Sequence, residues 1–156
     1  LLFDLLTEEE DQVRASRFDV ERIAVRLLEV SRWLGENEQT KNLRLGYFGA
    51  STGAAAALRV VAELSEQNAD YLIRSVVCRG GRPDLSSDFL GSVTVPTLLI
   101  VGERDAEVLR LNEAALGRLG GERALETVPN AGHLFREDGA IERVAELTVN
   151  WFRTYL

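Results

Sequence analysis

Three residues of this sequence have the types and the order needed for nucleophilic attack on a carbonyl group: Ser51, Asp105 and His133. A serine hydroxyl is a poor nucleophile until a base removes its proton, and imidazole has its pKa near neutrality. A carboxylate on the far ring nitrogen fixes the tautomer of the imidazole and stabilises the imidazolium that forms. The sequence therefore predicts that Ser51 attacks, that His133 transfers the proton and that Asp105 orients His133.

Ser51 lies in the pattern Gly49-x-Ser51-x-Gly53, between an apolar run over residues 43–48 and an alanine-rich stretch with helical spacing. This pattern is typical of a nucleophile elbow, a sharp strand-to-helix turn that presents a serine above the carboxyl edge of a sheet. We expect glycine on both sides of Ser51 because the strand and helix backbones pass too close for larger side chains. The alternative interpretation is an ordinary glycine-rich turn with a capping serine.

Asp105 and His133 follow two later strands of the chain. Asp105 comes shortly after a buried strand that ends near Gly102, and His133 follows a weaker strand over residues 124–128. Functional groups of open parallel sheets collect in the loops at the carboxyl ends of the strands, so we expect these residues to meet Ser51. The alternatives are that Asp105 is a turn or helix cap and that His133 is a loop histidine bonded to the backbone. Glu103 is the rival candidate for the acid that orients His133.

The elements that must position these residues alternate regularly between strand and helix. This alternation predicts right-handed crossovers and a parallel sheet covered by helices on both faces. We expect parallel strands near residues 1–6, 43–48, 72–78, 97–101 and 124–128. We expect helices from the cap Asp19 to near Gly35, over 52–67, over 107–119 and over 141–155, with a short helix over 84–90.

Composition limits the classes of function. The chain has 156 residues, enough for one domain, and its formal net charge of -7 disfavours nucleic acid and acidic membranes as partners. No apolar run is long enough to span a bilayer. Cys78 is the only cysteine, which excludes an internal disulfide and suits a reducing, cytoplasmic location. We predict that Cys78 is a buried apolar residue without a catalytic role.

Metal chemistry is not expected from this chain. One histidine and one cysteine cannot build a zinc site of the usual ligand sets. We therefore predict no cofactor, and the expected partner of the site is a small-molecule substrate.

Four stretches of the sequence resemble a known family. They are residues 4–7, 46–53, 79–85 and 132–135, and the resemblance extends over essentially the whole chain. The chain looks like the carboxyl-terminal two-thirds of a dienelactone hydrolase-like α/β-hydrolase, especially the bacterial group found alone or fused to phosphoribosyltransferases. The resemblance implies a three-layer α/β-hydrolase fold, with residues 1–156 as a single domain. Dienelactone hydrolases proper carry a cysteine at the elbow, so Ser51 implies a serine esterase instead.

The implied reaction is hydrolysis of small carboxylic esters or lactones, with Thr52 donating its backbone N–H to the oxyanion. The short stretch between Arg79 and Val95 leaves no room for a large lid domain, so we expect a shallow pocket. Arg79 and Arg82 are candidates to bind a substrate carboxylate or phosphate. The alternative for these two arginines is a solvated loop with structural ion pairs.

Two other functions fit the same features. An acyltransferase would use the same three catalytic residues, and a non-catalytic binding or scaffold domain would keep the fold without the chemistry. The sequence names neither the natural substrate nor the oligomeric state.

The resemblance also implies strands before Leu1, and the sequence contains no methionine. One of those strands would pair with the strand near residue 43, and the family's second oxyanion donor would lie upstream as well. We therefore expect the isolated chain to be weakly active and prone to associate. Full activity is expected to need the upstream segment of the same protein or a separate chain.

Overall fold

A sheet of four parallel strands lies at the centre of the structure, a computed structural model that describes residues 1–66 and 73–156. The strands lie side by side in chain order, and each neighbouring pair is parallel. They are β1 (Leu45–Ala50), β2 (Ile73–Arg79), β3 (Thr97–Gly102) and β4 (Arg123–Val128). The predicted parallel α/β architecture is confirmed.

Helices cover both faces of this sheet. They are α1 (Glu8–Asp11), α2 (Val20–Glu36), α3 (Thr52–Glu66), α4 (Ala106–Leu116) and α5 (Ala140–Tyr155), with 3-10 segments at Ser16–Phe18 and Pro83–Ser92. In the described part of the chain, no helix is long and apolar enough to cross a membrane. The bounds of the helices agree with the predicted bounds to within a few residues. The predicted helix end at residue 67 and strand start at residue 72 lie outside the described residues.

Alternation of side chains along the strands divides the interior into two cores. Cys78 and Leu99 point into one core, which is shared with α2, α3, α4 and the Pro83–Ser92 segment. Val77 and Ile100 point into the other core, which is covered by α5. Successive strand residues face opposite sides of a sheet, so the pattern gives three layers, as the resemblance implied.

The amino-terminal residues do not form the predicted strand. Leu1 and Leu2 are 83% and 99% exposed, and residues 1–6 belong to no ladder of the described sheet. Leu5 and Leu6 pack at the edge of the core, and the carbonyl of Leu5 accepts a bond from Arg26 Nη1 at 2.8 Å. The prediction of a strand over residues 1–6 was wrong, because an apolar run forms a strand only where a neighbouring strand pairs with it.

Strand β1 lies at one edge of the sheet, beside an apolar groove of about 300 Å³. Leu43 and Phe48 line this groove and are 53% and 49% exposed. Leu1, Leu2 and Phe3 line its other side. Within the described sheet, no strand lies beyond β1 at this edge, and exposed apolar side chains lie beside it.

The turn from β1 into α3 is packed at the limit of backbone contact. A Cβ atom on Gly49 would lie 2.6 Å from the carbonyl oxygen of Gly53 and 2.7 Å from the Cα of Ala54. The expected reason for glycine is thus confirmed at position 49. It is wrong at position 53, where a Cβ would meet no atom within 4 Å.

This difference between the two glycines predicts opposite effects on stability. Gly49→Ala should lower the free energy of unfolding by about 1–3 kcal/mol, because the added methyl overpacks the contact between strand and helix. Gly53→Ala should be neutral or should raise it by up to about 1 kcal/mol, because the methyl enters open space and alanine favours the helix. Urea denaturation followed by circular dichroism measures both, and equal losses would contradict this account.

Candidate active site

Ser51 forms the whole turn between β1 and α3 and has a φ of +50°. A non-glycine residue in this left-handed conformation costs of order 1–3 kcal/mol and persists only where its surroundings hold it. Two backbone bonds do so: the N–H of Ser51 donates to the carbonyl of Arg79 at 3.0 Å, and the carbonyl of Ser51 accepts from Arg82 at 3.3 Å. The strained turn between strand and helix has the geometry of a nucleophile elbow.

Asp105 and His133 are hydrogen-bonded to each other. The Nδ1 atom of His133 lies 2.6 Å from Oδ2 of Asp105. Asp105 immediately precedes α4, yet its side chain makes no capping bond to that helix. The Asp105 side chain is 14% exposed and the His133 side chain is 42% exposed, so the acid is sheltered while the imidazole faces solvent. This contact engages Nδ1 and leaves Nε2 for a second partner.

The loop after β3 is also bonded to the loop that carries His133. The N–H of Asn130 donates to Oε2 of Glu103 at 2.7 Å, and the N–H of Arg104 donates to the carbonyl of Ala131 at 2.9 Å. Glu103, the rival acid, therefore holds the backbone of the histidine loop and leaves the imidazole to Asp105. These bonds fix the spacing between the two loops.

Gly80 brings His133 to the Ser51 turn. It follows β2 with a φ of +51°, and a Cβ placed on it would lie 3.5 Å from Nδ1 and Cε1 of His133. The imidazole thus lies over the loop to which the Ser51 backbone is bonded. Among the described residues, no hydrogen bond joins the Ser51 hydroxyl to His133. The structure joins Asp105 to His133 directly, and joins Ser51 to them through the loop after β2.

The two candidate arginines have different surroundings. Arg82 donates from Nε and Nη2 to both carboxylate oxygens of Asp84, at 2.8 and 2.7 Å, and these bonds raise the pKa of Arg82. This contact is the structural ion pair that was the alternative at that position. The Arg79 guanidinium lies 5.5 Å from the centroid of the Phe135 ring, and its buried Nε has no hydrogen-bond partner among the described residues.

A cavity of about 500 Å³ opens beside Ser51. Residues 50–53 form one wall and residues 4–8 form the opposite wall. The second wall is tied to α2, because Arg26 donates to Glu10 at 2.7 Å as well as to Leu5. The bond from the Arg26 guanidinium is the main reason that the pKa of Glu10 falls to about 2. The pattern Thr7-x-x-Glu10 is a capping-box signal, and the structure contains that box at the start of α1.

Cys78 is fully buried, and this burial raises the pKa of its thiol to about 12. A thiol with such a pKa is protonated at neutral pH and is a poor nucleophile. The prediction that Cys78 is a buried apolar residue is confirmed.

The fold and the site geometry define the class of protein as an α/β-hydrolase. The dienelactone hydrolase from Anabaena variabilis is 46% identical in sequence, and its crystal structure superposes with a TM-score of 0.89 over 98% of this chain and 70% of that one. The chain belongs to the dienelactone hydrolase-like α/β-hydrolase family, as the resemblance indicated.

Two other comparisons bear on the length and on the fold. Two proteins of Mycobacterium tuberculosis, from strains CDC 1551 and H37Rv, each named "Putative phosphoribosyl transferase", are 52% identical over all 156 residues, and the chain spans 34% of their length. A serine hydrolase involved in carbazole degradation is 15% identical, with a TM-score of 0.65 over 88% of this chain and 72% of that one, and it shares the fold. No family model matches the chain.

Proposed function

We propose that this chain is a serine hydrolase of small carboxylic esters or lactones. The observation that carries the proposal is the Asp105–His133 pair, which lies over the loop that holds the strained Ser51 turn. An oriented imidazole beside a serine held in an elbow is what activation of a hydroxyl nucleophile requires. The relative from Anabaena variabilis is described as a dienelactone hydrolase, which supports hydrolysis of this class of bond.

In the proposed reaction, Ser51 Oγ attacks the carbonyl carbon of the ester while His133 Nε2 takes its proton. The tetrahedral intermediate then collapses, and the alcohol leaves with the proton from His133. Water, deprotonated by His133, hydrolyses the acyl-serine in the same way. The bond between nucleophile and base is commonly long in the free enzyme and tightens when substrate is bound.

Thr52 is the proposed oxyanion donor. It is the first residue of α3, so its N–H has no acceptor within the helix, and it directly follows the nucleophile. The positive end of the helix dipole also faces a charge that develops at this point. The cavity beside Ser51 supports a small substrate, since its volume of about 500 Å³ falls within the range of ordinary small-molecule pockets.

The direct test of the proposal is removal of the nucleophile. Ser51→Ala should lower kcat/KM for p-nitrophenyl butyrate by about 10⁴- to 10⁶-fold, and Asp105→Asn by about 10⁴-fold, because the first loses the covalent route and the second the correct tautomer. A fluorophosphonate probe should modify Ser51, as mass spectrometry of the labelled peptide would show. Ser92→Ala, a serine far along the chain from the elbow, is the control and should behave as wild type. Full activity in Ser51→Ala would reject the proposal.

We further propose that Arg79 binds an anionic group of the substrate. The carbonyl of Arg79 accepts the N–H of Ser51, and the Arg79 guanidinium lies over the ring of Phe135, two residues after His133, so this side chain lies beside the histidine loop. The Arg82 guanidinium is already paired with Asp84, whereas the Nε of Arg79 has no hydrogen-bond partner among residues 1–66 and 73–156. A guanidinium is well suited to a carboxylate or phosphate group.

If Arg79 binds an anionic group, removing its charge should weaken the binding of anionic esters and not of neutral ones. Arg79→Gln should raise KM for mono-p-nitrophenyl succinate by about 10- to 100-fold, the effect of one charge-assisted hydrogen bond, and should leave p-nitrophenyl butyrate nearly unchanged. Arg82→Gln is the matched control, and we expect it to treat the two esters alike. Equal effects of Arg79→Gln on both esters would exclude anion binding while leaving the hydrolase proposal intact.

We also propose that the open edge of β1 pairs with another strand, from an upstream segment of a longer protein or from a second copy of the chain. Unpaired strand edges beside exposed apolar side chains favour association. The isolated 156 residues should therefore form concentration-dependent oligomers by light scattering, with lower turnover than an extended form. Phe48→Lys should reduce the association, because a charge at the edge opposes pairing, while Val149→Lys on α5 should not. A monodisperse monomer with undiminished turnover would contradict this expectation.

A further inference from the structure

The loop that carries His133 contains two strained residues. Asn130 has a φ of +59° and Phe135 a φ of +53°, on either side of the histidine. Such conformations need neighbours that hold them in place. Glu103 holds the Asn130 side of the loop through its backbone N–H, and the Phe135 ring is buried beneath the Arg79 guanidinium on the other side.

Glu137 holds the backbone of the residue immediately before the histidine. It follows the loop in the chain and folds back, so that Oε1 accepts the N–H of Gly132 at 3.0 Å. The backbone N–H groups of Glu137 itself and of Gly132 lower the pKa of the Glu137 carboxyl. Its other oxygen is buried and has no partner among the described residues. A carboxylate held in this way fixes the peptide group between Ala131 and Gly132, one residue before His133.

We propose that Glu137 is a positioning residue for His133 and acts through the Gly132 backbone. Asp105 fixes the imidazole ring at Nδ1, while Glu137 fixes the chain from which the ring projects. Both contacts are needed to fix the position of Nε2, because an imidazole held only at Nδ1 still moves when the backbone of His133 moves. The effect on rate rests on the proposed hydrolase function, but the effect on the position of the imidazole does not.

The chain offers a direct readout, because His133 is its only histidine. The imidazole signals in an NMR spectrum therefore come from one residue, and the proton on Nδ1 that is shared with Asp105 should give a single low-field line. In Glu137→Ala this line should broaden or move towards the position of a solvent-exposed imidazole. Asp138→Ala removes a neighbouring carboxylate that makes no hydrogen bond or ion pair among the described residues, and it should leave the line unchanged.

Two further variants separate the reach of the side chain from its charge. Glu137→Gln keeps an oxygen that accepts the Gly132 N–H but loses the charge, and it should retain the low-field line. Glu137→Asp keeps the charge but is one methylene too short to reach Gly132, and it should behave like Glu137→Ala. Because Glu137→Asp and Glu137→Gln both remain polar and close in size, they decide the question even if Glu137→Ala fails to fold.

Kinetics supply the second readout. Glu137→Asp should lower kcat for p-nitrophenyl butyrate by about 10- to 100-fold with KM unchanged, because misplacing the base slows proton transfer but not binding. Glu137→Gln should stay within about 3-fold of wild type, since the bond to Gly132 survives. The proposal is overturned if the low-field line and kcat persist in Glu137→Asp, or if Glu137→Gln is the more damaged variant. If wild type has no esterase activity, the hydrolase proposal fails and the NMR comparison still decides the role of Glu137.

Discussion

The close approach of β1 to α3 is the constraint on which the rest of the site depends. Gly49 allows the strand to touch the helix backbone, and residues 54–57 are alanines that are almost fully buried, so that α3 lies flat against the sheet. A chain that turns this sharply leaves one residue for the corner, and Ser51 adopts a left-handed conformation to fill it. The strain is held by bonds to the loop after β2, and Gly80 of that same loop packs under His133. The packing of a glycine and a run of alanines thereby determines where the imidazole can lie relative to the hydroxyl.

The sequence predicts those parts of this arrangement that depend on patterns within a short stretch of the chain. Apolar periodicity located the helices and the strands from β1 to β4, because each element carries its own pattern. The Ser51 turn was predicted from a glycine pattern within a few residues, and the Asp105–His133 contact from the rule that strand ends share one edge of a sheet. Residues 1–6 were misread because apolar composition does not specify a pairing partner. The open space at Gly53, the ion pair of Arg82 and the tie from Arg26 to Glu10 depend on contacts between distant parts of the chain, which no local pattern contains.

The acidic residues around the site show how one carboxylate becomes the partner of the histidine. Glu103, Asp105 and Glu137 all lie on the two loops that meet at His133. Glu103 and Glu137 each accept a backbone N–H with one carboxylate oxygen, and these two bonds hold the histidine loop. The side chain of Asp105 makes no capping bond to α4, and its carboxylate is therefore available to Nδ1. The assignment follows from hydrogen-bond geometry and would not follow from charge alone, since all three groups are acids.

The proposed nucleophile, a hydroxyl and not a thiol, requires more of this geometry. A thiol, as in dienelactone hydrolases proper, reaches a substantial thiolate fraction when its surroundings lower its pKa, and it attacks without a proton transfer at the same moment. The hydroxyl of Ser51 has no such route, so the imidazole must be in place when the carbonyl carbon is approached. The one thiol of this chain is unsuited to the task, because Cys78 is buried in the sheet and its pKa is raised. A serine nucleophile in this family would therefore place a heavier requirement on the loops that hold His133, and the carboxylates of Glu103 and Glu137 accept backbone N–H groups of the histidine loop.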